Sequence, residues 1–281
     1  MRRDQKTKLE EFVLYAKPLF EGHGWQDPDY LPLFGVFDHI GSHVGSALDC
    51  RGVEVKTEGI WKIYVSIADA CRASPHDAYV ADGVLQPPLR IDRAAFDAAG
   101  NLLAKKRYVA GIVAEFVHGL GSRWPIDPTA LVDLLRECEH SGEVLEFHTP
   151  VAMVRNAAGT RGARWVVRMT FFETAIGIEI DDGGISRRLD LIRWPGASFT
   201  MVCFFVSSIR WTGDANLVVR SKPDTDRPLS TSRMAVILDD APGVRFARVP
   251  ARRGENLTDY QKSEFRFEWR IAVRELTPSP A

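Results

Sequence analysis

Residues 34–82 read FGVFDHIGSHVGSALDCRGVEVKTEGIWKIYVSIADACRASPHDAYVAD. Leu33 to Phe37 is a short apolar run of strand length, and Ala47 to Asp49 reads as the end of a returning strand. Asp49-Cys50-Arg51-Gly52 has the composition of a tight turn, with Gly52 free to take a positive φ. Val53 and Val55 then alternate with Glu54 and Lys56, which sets both charged residues on one face of a strand. Ile60, Ile63, Tyr64, Ile67 and Cys71 fall at helical spacing, with Lys62, Ser66, Asp69 and Arg72 off that stripe. Asp77 to Asp82 reads as a further strand. Upstream, Leu9, Phe12, Val13, Ala16 and Phe20 have helical spacing, so a helix is expected over Lys8 to Phe20, with Pro18 near its end. The expected order is helix, strand, strand, strand, helix, strand.

The chemistry of this stretch lies in Asp38, Glu54 and Lys56, with Asp49 competing for the place of Asp38. Two carboxylates suit a hard, oxygen-seeking cation. A lysine beside them can steady phosphate charge or help activate the attacking water. Acid-x-Lys occurs twice in the chain, at Asp4-Gln5-Lys6 and at Glu54-Val55-Lys56. Its context therefore carries the weight. Expected strand order, an acid on the second strand and Glu-x-Lys on the third resemble the PD-(D/E)xK, or restriction-endonuclease-like, nuclease superfamily over the first third of the chain. The resemblance implies an Mg²⁺- or Mn²⁺-dependent endonuclease that hydrolyses phosphodiester bonds in DNA. Asp38 or Asp49 and Glu54 would hold the metal, Lys56 would support the nucleophile, and Glu10 or Glu11 would complete the site. Phe37 stands where the motif has Pro, and Gly41, Ser42 and Gly45 interrupt the span between the acids. The plainer alternative gives Glu54 and Lys56 cross-strand ion pairs on the solvent face of an ordinary strand.

Further along, Gln86-Pro87-Pro88 marks a break. Tyr108, Val109, Ile112, Val113, Phe116 and Val117 predict a helix from about Lys105 to His118. Asp127 as N-cap, Pro128 at the first helical position and the stripe Leu131, Leu134, Leu135 and Cys138 predict another, ending at Ser141-Gly142. From Glu143 onward the period changes to two. Strands are expected at 144–154, 163–173, 176–181, 185–194, 199–207, 216–220, 234–238, 244–249 and 265–276. Ala158-Gly159, Asp182-Gly183-Gly184, Pro195-Gly196 and Pro242-Gly243 read as turns between them. The fold class is α+β: an N-terminal mixed α/β domain over residues 1–142, then a mostly antiparallel β-sandwich or barrel over 143–281.

Charge divides the same way. Residues 1–150 carry 16 Lys+Arg against 22 Asp+Glu, and residues 151–281 carry 20 against 15, of which 18 are Arg. Arginine suits bidentate phosphate and guanine contacts, so the second half is the expected nucleic-acid-binding domain. Arg187, Arg188, Arg252 and Arg253 are its candidate contacts. Trp165, Trp194, Trp211 and Trp269 either stack on bases or, as is usual for strand tryptophans, fill the core. Lys105-Lys106-Arg107 reads as a solvated helix face. DNA is the expected partner, no membrane is, and both a homodimer and a larger complex stay open. Cys50, Cys71, Cys138 and Cys203 form no CxxC pair, and MRRDQKTKLEE has no apolar core, so a reducing cytoplasm is the expected setting. Two other function classes stand beside the nuclease. One is a non-catalytic nucleic-acid-binding or assembly component. The other is a metal-dependent hydrolase built on Asp38, His39 and His43, which needs residues 36–46 to be helical despite their glycines.

Overall fold

The computed structural model describes residues 6–23, 27–71, 77–197, 202, 206–223, 236–237, 242–250 and 265–276. The fold is α+β, and the chain divides into two units. The first gathers residues up to 145 together with 169–173 and 196–197; the second takes the remainder. Among the described residues no helix is long and apolar enough to cross a membrane.

The first unit opens with a strand, β1 (Glu11–Tyr15), and not with the expected helix. Phe12, Leu14 and Ala16 are buried and alternate with half-buried Glu11, Val13 and Tyr15. The true period is two, and Leu14 is the position that the helical spacing passes over. A 3₁₀ turn, Lys17–Phe20, follows. The expected strands at Leu33–Phe37 and Ala47–Asp49 are both parts of one helix, α1 (Leu31–Cys50). Glycine disfavours a helix by about 1 kcal/mol per residue, but close packing overrides that here. A Cβ on Gly35 would meet the backbone of Phe171, whereas one on Gly41 would lie at ordinary contact distance, 3.7 and 3.9 Å, from Phe12 O and Leu14 N. Phe34, Val36, Phe37, Ile40, Val44 and Ala47 form its apolar stripe, and with His39, Ser42, His43 and Ser46 also buried the helix is enclosed nearly all round. Gly52 just beyond it does take a positive φ, of 68°.

The expected helix at Ile60–Cys71 is instead a strand, β2 (Lys62–Asp69). β2 pairs in parallel with β1 on one side, in register Glu11↔Lys62 to Tyr15↔Ser66. On its other side lie β4 (Val84–Gln86) and β5 (Pro88–Ile91), end to end and both parallel to it. A strand paired in parallel on both edges is buried on both faces and loses clean alternation, which is why its apolar residues imitate a helix. β3 (Tyr79–Ala81) falls within the expected strand at Asp77–Asp82 and turns back on β4. Asp82 and Gly83, both at positive φ, make that two-residue turn. Three helices follow: α2 (Arg93–Ala98), α3 (Leu102–Leu120) and α4 (Thr129–His140). The last two lie where expected, but the cap of α4 is Pro128, one residue later than expected; Asp127 Oδ1, just outside the helix, accepts from Thr129 N at 3.1 Å.

Lys105 and Lys106, expected on a solvated face, are buried and cap neighbouring helices. Lys105 Nζ donates to Phe96 O and Asp97 O at the end of α2, at 2.6 and 2.8 Å. Lys106 Nζ donates to Ser141 O, Ser141 Oγ and Gly142 O at 2.7, 2.8 and 3.0 Å, closing the end of α4. A cation at a helix C-terminus satisfies orphan carbonyls and opposes the dipole. Lys106→Met keeps most of the alkyl stem and removes the three bonds. It is expected to lower stability by about 2–4 kcal/mol, read as a drop in the urea midpoint. An unchanged midpoint would show that these carbonyls do not depend on the ammonium.

The second unit contains two open sheets, and among the described residues neither closes into a barrel. The first has strand order β13-β10-β9-β8-β6 with β7 also on β8. These are β6 (Leu145–His148), β7 (Val154–Arg155), β8 (Arg161–Met169), β9 (Glu173–Asp182), β10 (Ile185–Pro195) and β13 (Val236–Ile237). The second sheet is antiparallel in the order β11-β12-β15-β14: β11 (Val206–Trp211), β12 (Asn216–Pro223), β15 (Phe265–Ala272) and β14 (Val244–Pro250). Gly159, Gly183, Gly184, Gly196 and Gly243 all take positive φ at the expected turns.

Candidate functional site

Glu54 and Lys56 do share one face of an extended segment: both are exposed, while Val55 and Thr57 are buried. The segment is not a sheet strand. Single bridges to Lys8 and Ile126 hold it, with Leu9 N→Val55 O and Asp127 N→Lys56 O both at 2.9 Å. The two side chains line an open hollow of about 560 Å³ with Thr7, Glu58 and Asp127. The hydroxyl and backbone N–H of Thr129 hold the Asp127 carboxyl below its usual range, and the charge of Lys56 adds to this.

Asp38 and Asp49 do not line that hollow. Both lie on α1, eleven residues apart, which is about 16 Å along a helix axis. They cannot serve one ion. Asp38 keeps part of its surface accessible, yet burial pushes its carboxyl up to about 8. The Asp49 carboxyl is also raised, by burial first and then by Glu10 and Glu11, with Lys8 opposing. Among the described residues no three His, Cys, Asp or Glu side chains gather in a way that could hold a metal ion. Neither Asp38 nor Asp49 lines the hollow of Glu54, where the second carboxylate of a Mg²⁺ or Mn²⁺ site would stand. The order strand, helix, extended segment, strand also differs from the one on which the nuclease resemblance was drawn.

His39 and His43 share a helical face, since α1 forms in spite of its glycines. Both are buried, and no ring nitrogen of either has a hydrogen-bond partner. His43 Nε2 comes within 3.6 Å of Glu137 Oε1. Burial pushes His39 down to about 3, with the positive charge of Lys106 and the nearness of the His43 ring contributing. Two buried neutral imidazoles facing a buried ammonium are a poor cation site. A second constellation centres on Glu179, which accepts from His148 Nε2, Arg164 Nε and Ser186 Oγ, each at 2.7 Å. Burial acts to raise this carboxyl, but the hydrogen bonds from Arg164, Ser186 and His148 outweigh it and hold the group down to about 2. The glutamate binds the serine and the histidine separately, as a brace.

The expected nucleic-acid contacts fare unevenly. Arg187 donates to Leu276 O at 3.0 Å and Val273 O at 3.4 Å, so it ties down the chain after β15. Arg188 is paired with Glu146 at 2.5 Å and Asp190 at 2.9 Å. Neither is available as an unpaired cation. Arg252 and Arg253 lie outside the described residues. Trp165, Trp194 and Trp269 are buried, and Trp211 is half-buried with Nε1 donating to Val154 O at 2.8 Å, so the tryptophans are structural.

A different set of arginines does converge. In the sheet β11-β12-β15-β14, Arg210 lies opposite Val218, Val218 opposite Arg270, and Arg270 opposite Arg245. Residues directly opposite share a face. One row across the four strands thus reads Arg210, Val218, Arg270, Arg245. The next row reads Ser208, Arg220, Glu268, Ala247. Arg210, Arg245 and Arg270 are exposed. Glu268, only 2% exposed, accepts from Arg220 Nε at 2.7 Å and Arg270 Nε at 2.9 Å. Burial acts to raise its carboxyl, and the two guanidiniums outweigh this and hold it below the usual range. These side chains line a hollow of about 750 Å³. The expected strands at 216–220, 244–249 and 265–276 contain Arg220, Arg245 and Arg270, but nothing in the sequence set them side by side. Arg210 lies beyond the expected strand at 199–207, and cross-strand register cannot be read from local pattern.

Comparison with protein-family models, with curated proteins and with solved structures finds no match.

Proposed function

We propose that this chain binds nucleic acid without cleaving it, through the arginine face of the sheet β11-β12-β15-β14. The observation that carries this is the single row of Arg210, Arg270 and Arg245, reinforced by Arg220. Three exposed guanidiniums across about 14 Å of sheet form an array of bidentate phosphate donors. Metal-dependent cleavage, which the sequence suggested, lacks support from the site geometry, because Glu54 and Lys56 have neither Asp38 nor Asp49 beside them in their hollow. A nicking assay with and without Mg²⁺ separates the two readings; metal-dependent cleavage lost in Glu54→Gln would restore the nuclease.

Binding itself is tested by fluorescence anisotropy against salt. Affinity should fall steeply between about 50 and 200 mM salt as condensed counterions are released. Arg210→Ala with Arg245→Ala should flatten the log–log slope by about 2. Affinity that ignores salt would remove the proposal.

A further inference from the structure

Resting on that reading, we infer that the arginine face engages the phosphate backbone of duplex nucleic acid from outside the grooves, and neither stacks on bases nor reads their edges. Three features of the sheet lead there. The first is the placement of its aromatics. Phe246, Phe267 and Trp269 alternate with the arginine-face residues Arg245, Ala247, Glu268 and Arg270 along β14 and β15. They therefore share the opposite face, where Phe267 and Trp269 are fully buried and all three rings contact one another. The two arginine rows contain no aromatic residue. A single strand is held by bases stacked on aromatic side chains, and among the described residues this face offers no such platform.

The second feature is width. Four strands place β11 and β14 about 14 Å apart between axes, before side chains are added. The major groove is about 12 Å wide and admits a helix or a two-stranded ribbon. A four-stranded sheet presented face-on cannot enter it, so Arg210 and Arg245, on the outer strands, meet the phosphates that flank the groove.

The third feature is the setting of the inner arginines. Glu268 takes the Nε of both Arg220 and Arg270. Those bonds fix the two guanidinium planes and leave the terminal nitrogens for an anion. A carboxylate beneath the row also keeps the face from being uniformly repulsive to itself, without reaching the surface: the Glu268 side chain is 3% exposed, whereas that of Arg270 is 73% exposed.

The experiment uses the full chain with two unrelated short duplexes and one of the component single strands, each fluorescently labelled. Wild type is compared with Arg210→Ala/Arg245→Ala, both at exposed positions, and thermal melts confirm that the variant folds. The duplexes should bind within about twofold of one another and more tightly than the single strand, and the double variant should lose about tenfold or more for either duplex. Tighter binding of the single strand, or a preference of tenfold or more between duplexes, overturns the backbone inference while nucleic-acid binding stands. Wild-type affinity in a folded double variant overturns the arginine row as the contact. Binding to none of the three probes removes both this inference and the function it rests on.

Discussion

Gly35→Ala is expected to cost the first unit at least about 3 kcal/mol, or to prevent its folding. A Cβ there would lie 2.0 Å from Phe171 O and 2.8 Å from its carbonyl carbon. Both are backbone atoms, so no rotamer change relieves the overlap. Either α1 shifts as a whole or the turn carrying Phe171 withdraws. Withdrawal would empty a fully buried aromatic position, since Phe171 is 1% exposed in the core cluster that includes Phe34, Phe37 and Ile40. Gly41→Ala is the matched control on the same helix. Its new methyl would meet Phe12 O at 3.7 Å and Leu14 N at 3.9 Å, ordinary contact distances. Better helix propensity should make it neutral or stabilising by up to about 1 kcal/mol. In thermal melts the first variant should fall by about 6–12 °C and the second stay within a few degrees. Equal melting of the two would show that α1 does not sit against Phe171 as closely as described.

Asp38 and His39 are expected to act in opposite directions on stability as pH changes. The folded Asp38 carboxyl, pushed up to about 8, keeps its proton where an unfolded aspartate, near 4, has lost it. Its stability contribution is complete below about pH 4 and is lost as pH rises towards 8. The folded His39 imidazole, pushed down to about 3, stays neutral where an unfolded histidine, near 6.5, is charged. Its contribution is complete above about pH 6.5 and is lost as pH falls towards 3. Each full effect has a slope of about 1.4 kcal/mol per pH unit, and between about pH 4 and 6.5 the two nearly cancel. Single substitutions should expose them. Asp38→Asn should gain on wild type steadily from pH 4 to 8, by about 2–4 kcal/mol in all, the lower end reflecting the partial accessibility of Asp38. His39→Leu should gain on wild type as pH falls from 6.5, on top of a constant packing difference. Urea denaturation at several pH values measures both. A difference from wild type that stays level for either variant would show that its side chain titrates in the folded chain near its ordinary value.

The second half of the chain was the more legible. Phe265 to Arg270 alternates apolar with charged residues openly, and each glycine turn was visible by composition. In the first half, β2 lies between parallel neighbours and hides its period behind Ile63, Val65, Ile67 and Ala68, all buried. α1 was obscured for the opposite reason. Gly35, Gly41 and Gly45 argue locally against a helix, and what requires a small residue at the first is backbone distant in sequence, at Phe171. α3 and α4 were readable because their stripes are long and Asp127 announces the start of α4. The candidate site was the least legible. Lys106 looks like a surface charge until the end of α4 is placed beside it. The arginine row exists only once β15 lies between β12 and β14, and no window of sequence contains that register.

That central position of β15 also governs when the second sheet can exist during synthesis. β12 and β14 do not pair with one another; each pairs only with β15 on its inner edge, and β15 follows both in the chain. While the ribosome is still making residues 250–264, β11 and β12 form at most an isolated hairpin, marginal in water, and β14 has no neighbour among the described strands of its sheet. Closure brings together strands separated by some fifty residues, a non-local step of the kind that slows folding. The four arginines therefore become one array only after residue 272 has cleared the exit tunnel. A nascent chain carries the charges but not the surface that sets them in one row.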